Sequence, residues 1–297
     1  MAQAQLARNQ VVPRARAGRA AGRLLGQIGR AVPVVLAYLV GAAFFVPFFW
    51  MVSTALKLPE HTFLSPPKWI PNPVHWKNFP EALTYIPFAT YTLNTIKIAV
   101  PSIIGTLLSC TLVAYGFSRI RAPGRDIFFG ICLATMMVPW AVTMVPVFIM
   151  FKQLGWYGTY LPLIVPHFFG SAYFIFLFRQ FFLTIPMELS DAAVVDGCSQ
   201  LGILMRVILP LARPIIVTVA LFTFNGVWSD YLGPLIFITR KEQYTLALGL
   251  TYFLDFQRPL WNLAMAATTV AVLPVLIVFL LAQRSFIEGI TLTGIKG

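Results

Sequence analysis

Residues 183–213 read LTIPMELSDAAVVDGCSQLGILMRVILPLAR, and the punctuation of this stretch organises the rest of the chain. Pro186 can open a helix, because its missing N–H falls where no intrahelical bond is made. Glu188 and Asp191 follow in the first turns, where the helix dipole favours carboxylates. Ala192 and Ala193 are small, Val194 and Val195 are apolar, and Gly197 stands where a glycine ends a helix. A second helical piece over 200–209 leads to Pro210. The stretch predicts a short exposed helix, a glycine turn and a second piece that turns back. Small residues admit close approach of another surface, and the flanking acids (Glu188, Asp191, Asp196) would give that contact polar specificity. A solvated loop helix without a partner fits the same residues equally well.

The chain around this stretch is apolar. Of 297 residues 58% are hydrophobic and 11% charged, against about 25% charged in an ordinary soluble protein. The mean hydropathy is +0.78. So few charges cannot cover a soluble globule, and the composition equally excludes a disordered chain, a disulfide scaffold and a fibrous repeat. Long runs nearly free of charge place spans at about 31–56, 93–117, 127–151, 159–182, 212–239 and 259–283. Each run is near the length of about 20 residues that a bilayer requires. The fold class expected is an all-α polytopic membrane protein with six transmembrane helices and a cytoplasmic loop, 184–213, between spans 4 and 5. It divides into a basic tail, 1–30, and a transmembrane domain, 31–297.

The net charge of +12 suits a nucleic-acid binder, but the apolar composition does not. Its distribution is that of a topology signal. Six arginines up to Arg30, then Arg119, Arg121, Arg125, Arg179, Arg206, Arg213, Arg284 and Lys296 fall on one side of the six spans. Lys57, Lys68, Lys77, Lys152, Arg240, Lys241 and Arg258 fall on the other. Both termini are therefore expected in the cytoplasm of a plasma-membrane protein. The tail fits either an amphipathic helix on anionic lipid, with Arg16, Arg19, Arg23 and Arg30 near one face, or a disordered anchor. Its long basic stretch and the full-length span after it argue against a cleaved signal peptide. The proline-rich stretch from Lys57 to about Tyr91, with Trp69 and Trp76, fits a partner-docking surface or a stiff connector.

Catalytic signatures are missing. No G-x-x-x-x-G-K-[ST] loop occurs, so no ATP site is expected on this chain. Cys110, Cys132 and Cys198 are scattered, and His61, His75 and His167 show no ligand spacing. No metal site or enzyme is expected. Polar residues inside spans carry more information, because burial in lipid is costly. The fifth span contains FTFNGVWSDYLGPL, with Asn225, Trp228, Asp230 and Tyr231. Aromatic faces beside hydrogen-bonding groups suit a sugar ring, so these four are candidate pathway residues. An aromatic belt near the helix end accounts for them as well, since Asp230 lies about 24 Å beyond Pro214 along a helix. In the third span Met136, Met137, Pro139, Trp140, Met144 and Pro146 predict a kinked gate or simple packing.

The 183–213 stretch also resembles the "EAA" loop of binding-protein-dependent ABC importer permeases. That pattern is E-A-A, three residues, G, nine residues, I, one residue, L-P. Here Asp191-Ala192-Ala193 stand for E-A-A, Gly197 follows at the required distance, Val207 replaces Ile, and Leu209-Pro210 close the pattern. MMVP at 136–139 and the ending GITLTGIKG at 289–297 are similar to sugar permeases of the maltose-permease-G type. The resemblance covers nearly everything after about Pro33. It implies a permease subunit that pairs with a second homologous permease, sits on an ATPase dimer that binds ATP and Mg, and receives solute from an extracytoplasmic binding protein. It implies coupling to the ATPase through Asp191, Ala192, Ala193 and Gly197, supported by Glu188, Asp196, Leu209 and Pro210. The solute class implied is an oligosaccharide, a disaccharide or a glycerol-phosphate-type compound. The competing classes are an ion-coupled secondary carrier, which usually shows repeats and several intramembrane ionisable groups, and a membrane scaffold.

Overall fold

A computed structural model describes residues 13–254 and 259–294, with side chains over 32–254 and 259–283. Among the described residues every regular element is helical. The principal helices are α1 (Pro13–Ala55), α2 (Asn78–Tyr85), α3 (Phe88–Arg119), α4 (Arg125–Ala134) and α5 (Trp140–Gln153). They continue with α6 (Ala172–Thr184), α7 (Met187–Val195), α8 (Arg213–Trp228), α9 (Leu232–Phe237) and α10 (Trp261–Gly294). Four stretches, Val32–Ala55, Phe88–Arg119, Leu161–Thr184 and Trp261–Gln283, are each long and apolar enough to cross a membrane. Two bent pairs raise that to six if each pair is one span.

The bends have local causes. Arg125–Met137 meets Trp140–Gln153 at 96°. Val138 is extended at the junction, the conformation favoured before a proline, and Pro139 precedes the first turn of α5. The straight third span expected at 127–151 is thus a broken one, and MMVP marks the break. Gln200–Leu211 meets Arg213–Trp228 at 82°, with Pro210 and Pro214 on either side of the joint. The expected fifth span, 212–239, is also divided: α8 ends at Trp228 and α9 starts at Leu232.

Helix α3 is the central rod. It lies against α6 and α8, α8 lies against α10, and α10 runs beside α1 and α2. It starts earlier than the 93 expected, because its polar first turns are buried and bonded. Asn94 Nδ2 donates to the carbonyls of Glu242 and Tyr244, and Thr95 Oγ1 accepts from Leu246 N–H. Among the described residues three apolar cores result, two of them large. One gathers Phe178, Phe182, Ile203, Leu204, Ile208 and Val219 near α7. The other gathers Ala55, Tyr91, Trp228, Leu246, Phe253 and Ala267 toward the opposite end. Helix α1 departs from this pattern, since every residue from Val32 to Phe49 is exposed. Such a continuous apolar surface needs lipid or another protein around it. The helix already starts at Pro13, so the 1–30 segment is helical over 13–30. Its arginine side chains lie outside those described, as do residues 1–12, Arg258 and 295–297.

Candidate functional site

Two places deserve the term site, and they lie toward opposite halves of α3. The first is α7 and its turn. Pro186 precedes Met187 with an extended backbone and Glu188 sits in the first turn. The end is a complete Schellman motif. Gly197 N–H donates to Val194 O at 3.0 Å, and Cys198 N–H donates to Ala193 O at 2.9 Å. Gly197 has φ +79°, and an added Cβ would meet nothing within 4 Å. Its requirement is conformational, since a left-handed residue with a side chain costs about 1–2 kcal/mol. Ser199 then caps the next turn, its hydroxyl accepting from Gly202 N–H at 3.2 Å.

Only Ser190 and Ala193 of α7 are buried. Glu188, Asp191, Ala192, Asp196 and Gly197 are exposed, and so are Met187, Leu189, Val194 and Val195. Val195 is 87% exposed. The helix thus exposes apolar, small and acidic side chains together. Leu209 packs against the adjoining core, while Pro210 is exposed just before the joint.

The second site is a cavity of about 620 Å³ between α3, α5, α6, α8 and α9. Trp140, Phe151, Phe174, Phe222 and Phe237 supply aromatic faces, and His167, Asp230, Thr143 and Thr223 supply polar groups. A few polar groups on an apolar, aromatic wall are the usual makings of a small-molecule site. His167 Nδ1 shares a hydrogen bond of 3.1 Å with Thr106 Oγ1, and Ser109 Oγ donates to His167 O at 3.0 Å. Asp230 Oδ1 accepts from Gly233 N–H at 3.0 Å, so the carboxylate starts α9 while lining the cavity.

The fifth-span candidates therefore separate. Asp230 lines the cavity. Trp228 is buried in the core instead, its indole Nε1–H donating to Ala271 O at 3.0 Å and its ring 5.2 Å from Phe224. Asn225 and Tyr231 are exposed outside the cavity lining. Trp140, from the third-span cluster, is a wall residue, and so is His167, which spacing rules do not single out. A histidine inside a span, costly by itself, is the signal that would have found His167.

The description "Binding-protein-dependent transport system inner membrane component" matches residues 105–291. The chain belongs to that family. A probable ABC transporter permease, YurM of Bacillus subtilis, is 32% identical over 265 residues, 88% of this chain and 86% of the relative. The diacetylchitobiose uptake permease DasC of Streptomyces coelicolor is 29% identical over 91% of this chain and 98% of its own length. The arabinooligosaccharide permease AraQ of Bacillus subtilis is 34% identical over 69% and 72%. A chain of a bacterial ABC transporter for alginate import shares the fold, with TM-score 0.75 and 23% identity over 88% of this chain and 97% of that one. This permease is thus a multi-pass inner-membrane protein. The matched segment contains α7, its glycine turn and most of the cavity wall.

Proposed function

We propose that this permease forms half of the translocation path of an ATP-driven importer for a carbohydrate, and that α7 couples it to a separate ATPase. The observation that carries the reading is α7 itself. A helix whose exposed residues are apolar, small and acidic stands exposed beyond the spans, ended by a glycine turn at E-A-A spacing. Relatives named for arabinooligosaccharide, diacetylchitobiose and lactose transport support a sugar as solute. The aromatic cavity with Asp230 and His167 suits such a solute, stacking on ring faces and bonding hydroxyls.

In this reading the two bent pairs are spans 3 and 5, giving six spans with both termini and α7 in the cytoplasm. Arg119, Arg121, Arg125, Arg179, Arg206 and Arg213 collect at the α7 end, which the positive-inside rule assigns to the cytoplasm. The partners are a second permease, an ATPase dimer carrying ATP and Mg, and an extracytoplasmic solute-binding protein. Closure of the ATPase dimer displaces the docked α7 and switches access to the cavity. The permease itself binds, encloses and releases solute, and moves no covalent bond.

The test is uptake of labelled disaccharides by cells expressing the whole transporter. Asp191→Lys or Gly197→Trp is expected to reduce uptake to background while the subunit still inserts and the ATPase no longer co-purifies. Normal uptake with normal co-purification in both variants contradicts the assignment of α7.

A further inference from the structure

We infer that Arg119 is a positioning residue that fastens α7 to α3, making α3 the rod that carries displacement of α7 to the cavity wall. The inference rests on the functional reading above and extends it to a residue outside the loop motif.

Arg119 is the last residue of α3, yet its side chain is 7% exposed. Its terminal guanidinium nitrogens donate to three main-chain carbonyls. Nη2 reaches Phe182 O and Ile185 O at 2.5 and 2.6 Å, and Nη1 reaches Pro186 O at 3.5 Å. Phe182 belongs to the last turn of α6, and Ile185-Pro186 is the hinge that leads into α7. Among the described residues no carboxylate makes an ion pair with Arg119. A buried cation held by carbonyls and by the negative end of a helix is expensive to detach, because detachment leaves charge without compensation. The end of α3, the end of α6 and the start of α7 therefore move together.

A second tie stands one helical turn earlier on the same face of α3. Tyr115 O–H donates to Gln200 Oε1 at 2.7 Å, just past the glycine turn. The two ties bracket α7, one before it and one after it, and both end on α3. Further along, the same helix holds the cavity wall. Ile98 lines the cavity, Ser102 Oγ donates to Leu163 O, and Thr106 and Ser109 bond His167. A shift of α7 thus reaches His167 through one continuous 32-residue helix.

The test uses the whole transporter in proteoliposomes: this permease, its partner permease, the ATPase dimer and the binding protein. A panel of labelled disaccharides identifies one that the wild type takes up, and that sugar is used throughout. Solute moved per ATP hydrolysed is the readout, since a merely structural defect lowers assembled complex and both activities together. Arg119→Lys keeps the charge but cannot span three carbonyls. It is expected to assemble, to keep hydrolysing ATP, and to lose about tenfold in solute moved per ATP, within the usual range of coupling factors. Tyr115→Phe, which deletes one hydroxyl, is expected to lower the same ratio less. Exposed Arg121→Ala is expected to leave it unchanged. A wild-type ratio in Arg119→Lys overturns the inference, as does loss of assembled complex with an unchanged ratio in the remainder. A wild-type complex whose hydrolysis ignores the loaded binding protein overturns the functional reading first, and the strut with it.

Discussion

The two ends of this permease are fastened in different ways. At the end away from α7 the chain is knotted through one asparagine. Asn78 is 1% exposed, and its amide uses all four of its hydrogen-bonding positions. Nδ2 donates to Ala55 O and Lys57 O at 2.8 and 2.7 Å, while Oδ1 accepts from Asn262 Nδ2 at 3.0 Å and meets His75 Nδ1 at 3.0 Å. That one side chain joins α1, the proline-rich connector, α2 and α10. At the α7 end two long side chains carry the ties, Arg119 to three main-chain carbonyls and Tyr115 to the amide of Gln200, and α7 itself buries only two residues. A saturated knot fixes the walls in place. A lightly held helix on two ties can be driven. Rigidity thus sits at the end away from α7, and compliance sits at α7, where the proposed motor would act.

The largest effect expected is at the compliant end, and it is functional. Asp191→Lys inverts the charge of an exposed residue on α7 and is expected to abolish uptake while thermal stability in detergent stays near wild type. A large fall in stability would show that α7 is a structural element like the opposite end. Next comes the knot, where the effect is on stability. Asn78→Leu leaves Ala55 O and Lys57 O unpaired in a buried place, for a loss of about 3 kcal/mol. Scanning calorimetry would register it as a lower melting temperature, with solute moved per ATP unchanged in the surviving complex. An altered ratio would erase the distinction between the ends. Gly197→Ala is smaller, about 1 kcal/mol of local strain, since space for the methyl exists. Circular dichroism should hardly change, whereas ATPase co-purification should weaken.

The smallest effect is a pH dependence at the knotted end. Lys57 is buried, its Nζ 3.7 Å over the Trp50 ring, with Thr54 Oγ1 as its hydrogen-bond partner. Burial pushes its ammonium below the ordinary lysine value of 10.5. A lowered cation pKa means that folding is penalised where the lysine is charged in both states, below the folded value. The penalty fades as pH rises from there to 10.5, and above that it is absent. Lys57→Met is therefore expected to change stability most near pH 7, with the difference from wild type shrinking toward pH 10. A difference independent of pH would mean that packing against Trp50, and not the charge, governs this residue.

Much of the α7 end was legible in the sequence because its code is local. Pro186, the acids, the small pair and Gly197 each act within one or two turns, and the structure places the helix and its Schellman turn where they indicate. Apolar runs likewise located the long helices, since a span is a property of composition. What escaped depends on partners distant in the chain. Arg119 counts as one more topology charge in the sequence, and only the fold brings Phe182 O and Pro186 O to it. Trp228 looks like a pathway aromatic until Ala271 O takes its N–H. The early start of α3 rests on Asn94 and Thr95 finding partners about 150 positions away. MMVP signalled trouble in the third span, but whether a proline kinks a helix or divides it is decided by packing around it.

Docking of α7 to an ATPase can be read directly as contact. A photo-crosslinking residue at Val195, the most exposed apolar position of α7, should capture the ATPase subunit in the assembled transporter, with the yield changing between nucleotide-free and ATP-bound states. Capture of the binding protein, or no capture from a complex that still transports, would contradict it.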